Sequence, residues 1–170
     1  MATKWNLDPT HSEITFKVKH MMISNVKGSF RTFTAEIEAE DDTFANAKTT
    51  ATIQTDSVFT NNTDRDNHLK SAEFFNAEQH PTITFDSQAL NDQVVGNLTI
   101  NGITKPVTLD VDFGGINVDP WGNTKAGFSF EGKISRKDFG LNWNAALEAG
   151  GVMVSDDVKV AGELQFVKQA

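Results

Sequence analysis

At 170 residues the chain is long enough for one domain with a substantial core and short for two independent ones. A formal net charge of −8 and a pI near 4.9 weigh against nucleic acid and anionic lipid surfaces, which are captured through clustered Lys and Arg. The absence of cysteine excludes disulfides, thiolate catalysis and thiolate metal sites, and 13 Phe and 3 Trp without a single Tyr make the aromatic surface almost wholly apolar.

The opening residues hold no apolar run of the kind a secretory leader needs, and nowhere do roughly 18 apolar residues gather into a membrane span. The expectation is a soluble, cytoplasmic protein. In chain order, the two-residue repeat of half-buried strands dominates. Ile14, Phe16, Val18 and His20 alternate with Glu13, Thr15, Lys17 and Lys19, and Ala35, Ile37 and Ala39 alternate with Glu36, Glu38 and Glu40. Ala51 and Ile53 continue the pattern, followed, after an interruption between Asn61 and His80, by Ile83 and Phe85. Within that interruption Asp64 is a candidate N-cap for a short helix over residues 64–72 that turns Leu69 inward, after which Phe74 and Phe75 return the chain to the core.

Val94, Leu98 and Ile100 precede Asn101-Gly102, the dipeptide favoured in tight hairpin turns with positive φ at both positions. The turn predicts a register in which Ile100 faces Ile103, Leu98 faces Lys105, Gly96 faces Val107 and Val94 faces Leu109, so both apolar sets share one face. Further alternation places Val107, Leu109, Val111 and Phe113 on one face, then Ala126, Phe128, Phe130 and Ile134, and finally Val158, Val160, Leu164 and Phe166. Eight such runs with no tandem repeat or linker predict a single all-β domain over residues 1–170, an eight-stranded antiparallel barrel in preference to a two-sheet sandwich.

Catalytic constellations are weak. Asp8, His11 and Ser12 have the residue types of a nucleophilic triad, but His11 and Ser12 are neighbours entering a strand and point apart, so a hydrogen-bonded cluster at the barrel end is expected. Asp64 and His68 stand four apart without a third metal ligand, and His20 reads as a hydrogen-bonded histidine at a strand end. Asp41-Asp42 and Asp156-Asp157 are adjacent carboxylates whose side chains diverge, which suits turns and solvated edges rather than paired acid–base work. No phosphate loop, zinc helix or calcium loop is present. Periodicity alone leaves open whether the interior is filled or hollow, although small inward residues such as Ala35, Ala51 and Gly96 favour a cavity.

Several blocks together resemble the YceI-like, lipocalin-like polyisoprenoid-binding family. They are Trp5-Asn6-Leu7-Asp8-Pro9-Thr10-His11-Ser12, then Arg65-Asp66-Asn67-His68-Leu69-Lys70-Ser71 with Phe74-Phe75, then Gly96 to Val107, and Ser135-Arg136-Lys137-Asp138-Phe139-Gly140-Leu141. The resemblance implies an extended eight-stranded barrel around a channel for an isoprenoid chain, as a prenyl quinone or prenyl phosphate, or another long lipid. Several relatives are dimers, which implies a homodimer. With the catalytic constellations weak, the expectation is binding without catalysis, with no required cofactor and no metal; the alternatives are a barrel enzyme acting on a lipid-like substrate and a filled-barrel stress or interaction protein. On the binding reading the channel is lined by Phe16, Val18, Phe30, Ile37, Ile53, Phe85, Leu98, Ile100, Leu109, Val111, Phe128, Phe130 and Trp143, with Leu69 and Phe75 gating one end. His20, Arg65 and Lys105 are the candidates for a polar head group.

Overall fold

The computed structural model describes residues 2–21, 23–141 and 154–169. Eleven strands and one α-helix follow one another as β1 (Thr3–Leu7), β2 (Glu13–His20), β3 (Ser24–Phe30), β4 (Phe33–Ala39), β5 (Lys48–Gln54), β6 (Val58–Phe59), α1 (Thr63–Lys70), β7 (Thr82–Ser87), β8 (Gln93–Ile100), β9 (Ile103–Val118), β10 (Thr124–Ser135) and β11 (Val154–Lys168). All strand pairs are antiparallel, in the order β1-β4-β5-β7-β8-β9-β10-β11, and the β1–β11 pairing closes the ring into an eight-stranded barrel.

The remaining short strands extend this ring. β11 is long enough to pair with β1 through Phe166, Val167 and Lys168 and with β2 along its earlier half. β2 pairs with β3, and β3 with β6, so β1–β2, β3–β4 and β5–β6 are each one barrel strand broken by a kink. The first kink is the turn Pro9–His11, where Pro stands just inside and the Asp8 side chain accepts from the Thr10 N–H. Each of the eight alternating runs in the sequence thus falls on a different strand of the barrel.

The Asn101-Gly102 hairpin has the expected register throughout, Ile100 facing Ile103 and Val94 facing Leu109. Both turn residues have positive φ, 55° and 74°. The helix begins one residue earlier than expected, and its N-cap is Asn62, whose side chain accepts from the Arg65 N–H, in place of Asp64.

Two apolar clusters form the core of the barrel. Trp5, Ile37, Ala39, Phe44, Ala47, Ala126, Phe128 and Phe166 form one. There the Phe44 ring meets the edges of Trp5, Phe113 and Phe128 at centroid distances of 5.2, 5.4 and 5.2 Å. This group closes the end of the barrel where β4 passes to β5. The second cluster, with Phe30, Phe33, Ile53, Val58, Ile83, Ile100, Phe139 and Leu141, lies towards α1 and packs against Leu69 and Phe75.

Candidate functional site

Between these clusters the barrel encloses a cavity of about 620 Å³, within the range of small-molecule sites. Its wall is built from side chains of β2, β3, β4, β5 and β7 to β11. Phe16, Val18, Phe30, Ile37, Ile53, Phe85, Leu98, Ile100, Leu109, Val111, Phe128 and Phe130 all line it, as do Leu69 and Phe75 from the α1 segment. Trp143 lies outside the described residues. Phe75 meets the edge of Phe30 at 5.7 Å, which fixes the helix segment against β3.

Polar groups reach the cavity at few places. His20 lines it at the end of β2, and among the described residues no side-chain hydrogen bond holds its ring, contrary to the expectation of a bonded strand-end histidine. Arg65 also lines the cavity, but its guanidinium is committed locally. Its Nη2 donates to the Thr60 carbonyl at 2.6 Å and its Nε to Thr60 Oγ1 at 2.8 Å. The buried Asp66 completes that knot by accepting from the Thr60 N–H and hydroxyl. Lys105 takes no part in the wall: it is exposed close to the hairpin turn, where its long stem carries the ammonium out to water.

Arg136 is a wall residue that sequence reasoning missed. It is 5% exposed, and its guanidinium donates to the carbonyls of Ser155 at 2.9 Å, Leu141 at 2.8 Å and Val154 at 3.1 Å. Burial lowers its pKa, opposed by the nearby Asp156 carboxylate, and an arginine stays charged regardless. The signal was available, because Arg136 continues the inward parity of Ala126, Phe128, Phe130 and Ile134. His20 is the register partner of Val154, whose carbonyl Arg136 holds, so both polar groups mark the same end of the cavity.

The would-be triad is a structural cluster. Ser12 Oγ donates to the Asp8 carbonyl at 2.7 Å and accepts from the Gln165 N–H at 3.0 Å, while His11 Nδ1 stands 2.8 Å from Asp8 Oδ2 on the outside. The Lys125 ammonium, 2.8 Å from the same oxygen, holds the Asp8 carboxyl far below the usual carboxylate range. Asp119 is likewise lowered, chiefly by the Asn123 N–H, and it stands 3.8 Å from Lys125. None of these groups faces the cavity. Asp41 receives the Thr43 N–H in a turn, as expected of that pair, and Asp157 is exposed. Asp156, in contrast, is pinned by the Ser135 hydroxyl and the Lys137 N–H. His68 pairs with Glu73 at 2.7 Å, and no group of three or more metal-ligating side chains occurs among the described residues.

A closed antiparallel barrel with a short helix over one end and an apolar interior cavity is a lipocalin-like binding fold. The sequence model of the YceI-like domain matches residues 5–166, and the chain belongs to that family. A UPF0312 protein of Staphylococcus epidermidis is 44% identical over 166 residues, which span 96% of this chain and 97% of the relative. The crystal structure of the Campylobacter jejuni YceI protein is 35% identical with a TM-score of 0.76, covering 89% of this chain and 90% of that one. A polyisoprenoid binding domain from Saccharophagus degradans superposes with a TM-score of 0.71 at 15% identity, over 97% and 98% of the two chains, and shares the fold.

Proposed function

We propose that the chain is a non-catalytic carrier of a long apolar lipid, an isoprenoid in the form of a prenyl quinone or prenyl phosphate. The observation that carries this reading is the 620 Å³ cavity walled mostly by Phe, Leu, Ile and Val, with its ionisable side chains at the end of His20, Arg136 and α1 and only the hydroxyls of Thr49 and Ser87 towards the other. An isoprenoid tail needs burial and no directed contacts, and each Å² removed from water contributes about 25 cal/mol. The ligand class is the one named for the Saccharophagus degradans domain of the same fold. Against an enzyme stands the location of the perturbed carboxylates, Asp8 and Asp119, on the outside of the barrel rather than in the cavity.

A polar head belongs at the end marked by His20 and Arg136, with the tail running towards the Phe128 end. The test is native mass spectrometry of the protein purified from its own host, followed by denaturing extraction. A stoichiometric species with isoprenoid mass spacing supports carriage. A clean apo mass together with no uptake of an added prenyl quinone rejects it.

A further inference from the structure

The net charge of −8 is an average that hides a local excess of the opposite sign. On the outer face of the barrel Lys27 faces Lys17, Lys17 faces Lys159, and Lys159 faces Lys133, one row across β3, β2, β11 and β10. Directly opposed like charges destabilise a sheet, so the row carries a folding cost. Among the described residues no carboxylate forms an ion pair with Lys17, Lys27 or Lys159, and Lys133 reaches only the exposed Asp157, at 3.9 Å. Thr15 and Ala161 separate Lys17 and Lys159 from Glu13 and Glu163 further along the same face, while Glu131 stands beside Lys133 at the β10 end of the row.

The β2–β3 hairpin joins this row to two other features. Its inner face supplies Val18, His20 and Val26 to the cavity wall. Its tip exposes Met21 and Ile23, 42% and 82% accessible. One hairpin therefore carries a cationic outer face, an apolar tip and the polar-marked end of the cavity. A soluble acidic protein would match the lysines but would have no use for the tip, and a nucleic acid would have use for neither the tip nor the cavity. A bilayer with anionic head groups matches all three.

We infer that the lysine row and the tip residues Met21 and Ile23 dock the barrel on an anionic membrane surface, placing the His20 end of the cavity against the lipid. Lysines near such a surface attract it, and apolar side chains at the tip enter the head-group boundary. The rest of the acidic chain is repelled, which fixes the orientation. The inference rests on the carrier reading for its purpose but not for its test.

The experiment is flotation of the purified protein with vesicles of phosphatidylcholine alone or with one third phosphatidylglycerol, at low and high salt. Wild type, the triple variant Lys17→Gln/Lys27→Gln/Lys159→Gln, and Ile23→Ser are compared. Wild type is expected to bind the phosphatidylglycerol vesicles and to release at high salt. The triple variant loses roughly 100-fold in affinity, taking about five-fold per lysine at an anionic surface, and Ile23→Ser binds more weakly than wild type. Because the triple variant removes like-charge contacts, its Tm stays level or rises, so lost binding cannot be ascribed to unfolding. Wild type that binds neither vesicle, or a triple variant that binds as wild type does, overturns the inference. Native mass spectrometry of the host-purified protein, before and after a prenyl quinone is added, separates the two readings: vesicle binding by a protein that arrives apo and takes up no quinone rejects carriage and leaves docking standing.

Discussion

The Phe130 ring occupies the space in which a side chain at its register partner Gly162 would stand. Phe16 does the same over its partner Gly28, and Phe85 over the diagonal neighbour Gly96. Glycine weakens a strand by roughly 0.5–1 kcal/mol relative to Ala, but here it lets a ring lie along the wall instead of crossing the lumen. The aromatic buries the glycine backbone, and the barrel stays hollow although its inner face is rich in Phe.

Gly162→Ala is therefore expected to destabilise, because overpacking costs roughly 1–3 kcal/mol and outweighs the propensity gained. A net loss of about 1–2 kcal/mol lowers the Tm by roughly 2–8 °C for a chain of this size. The double variant Gly162→Ala/Phe130→Leu recovers most of it. Thermal unfolding checks both, and a single variant as stable as wild type would show that the ring leaves the wall without cost.

The contact of Asp8 with Lys125 predicts the acid sensitivity of the barrel seam. With side chains 15% and 20% exposed, the pair ties the β1–β2 kink to β10. The folded pKa of Asp8 lies below its unfolded value of about 3.9, first because of the Lys125 hydrogen bond. Its contribution is thus complete above that unfolded value and fades as pH falls through the depressed folded one. Asp8→Asn is expected to lose about 1–2 kcal/mol at pH 7, in the range of a charge-assisted hydrogen bond. Urea midpoints of variant and wild type should converge as the pH is taken below 3.9, and a constant gap from neutral to strong acid would contradict the assignment.

Gly102 stands at φ 74°, and an added β-carbon would come 2.9 Å from His80 Cε1. Gly102→Val combines a β-branched residue at positive φ with that crowding, so a loss of about 2–3 kcal/mol is expected. Asn101, at φ 55°, also donates from Nδ2 to the Phe139 carbonyl, tying the turn to the segment after β10. Equilibrium unfolding in urea measures the loss. A variant within about 0.5 kcal/mol of wild type, the usual effect of a neutral surface change, would mean that the turn adopts another form.

Strict alternation made the eight barrel strands legible, since each needs one apolar face, and the Asn101-Gly102 turn made one register legible to the residue. What stayed hidden has physical reasons. β3 reads Ser24-Asn25-Val26-Lys27-Gly28-Ser29-Phe30, where Gly28 breaks the apolar face because Phe16 supplies the missing bulk. Phe44, which closes one end of the barrel, sits in a loop at φ 62°, where no periodicity announces it. Arg136 has the parity of the inward β10 residues, but it stands just past the end of that strand, in a turn, and carries a charge that is rare in a core. The lysine row needs three separate registers, none of which a single stretch of sequence contains.

Arg136 gives the sharpest remaining prediction because its charge and its geometry can be separated. Its planar fork serves three carbonyls at once, joining β11 at Val154 and Ser155 to the turn at the buried Leu141. A lysine keeps the charge but presents a point donor on a flexible stem, which cannot reproduce that fork. Arg136→Lys is expected to lose about 1 kcal/mol and Arg136→Met about 2 kcal/mol or more, since the buried Leu141 carbonyl left unpaired costs roughly 1–3 kcal/mol. Hydrogen exchange should locate the loss at the start of β11, where the amides of the Val158 region open faster in both variants while the Asn101-Gly102 hairpin keeps its protection. If Arg136→Lys matched wild type in both stability and exchange, charge alone would be holding that end of the cavity, and the fork geometry would have no structural role.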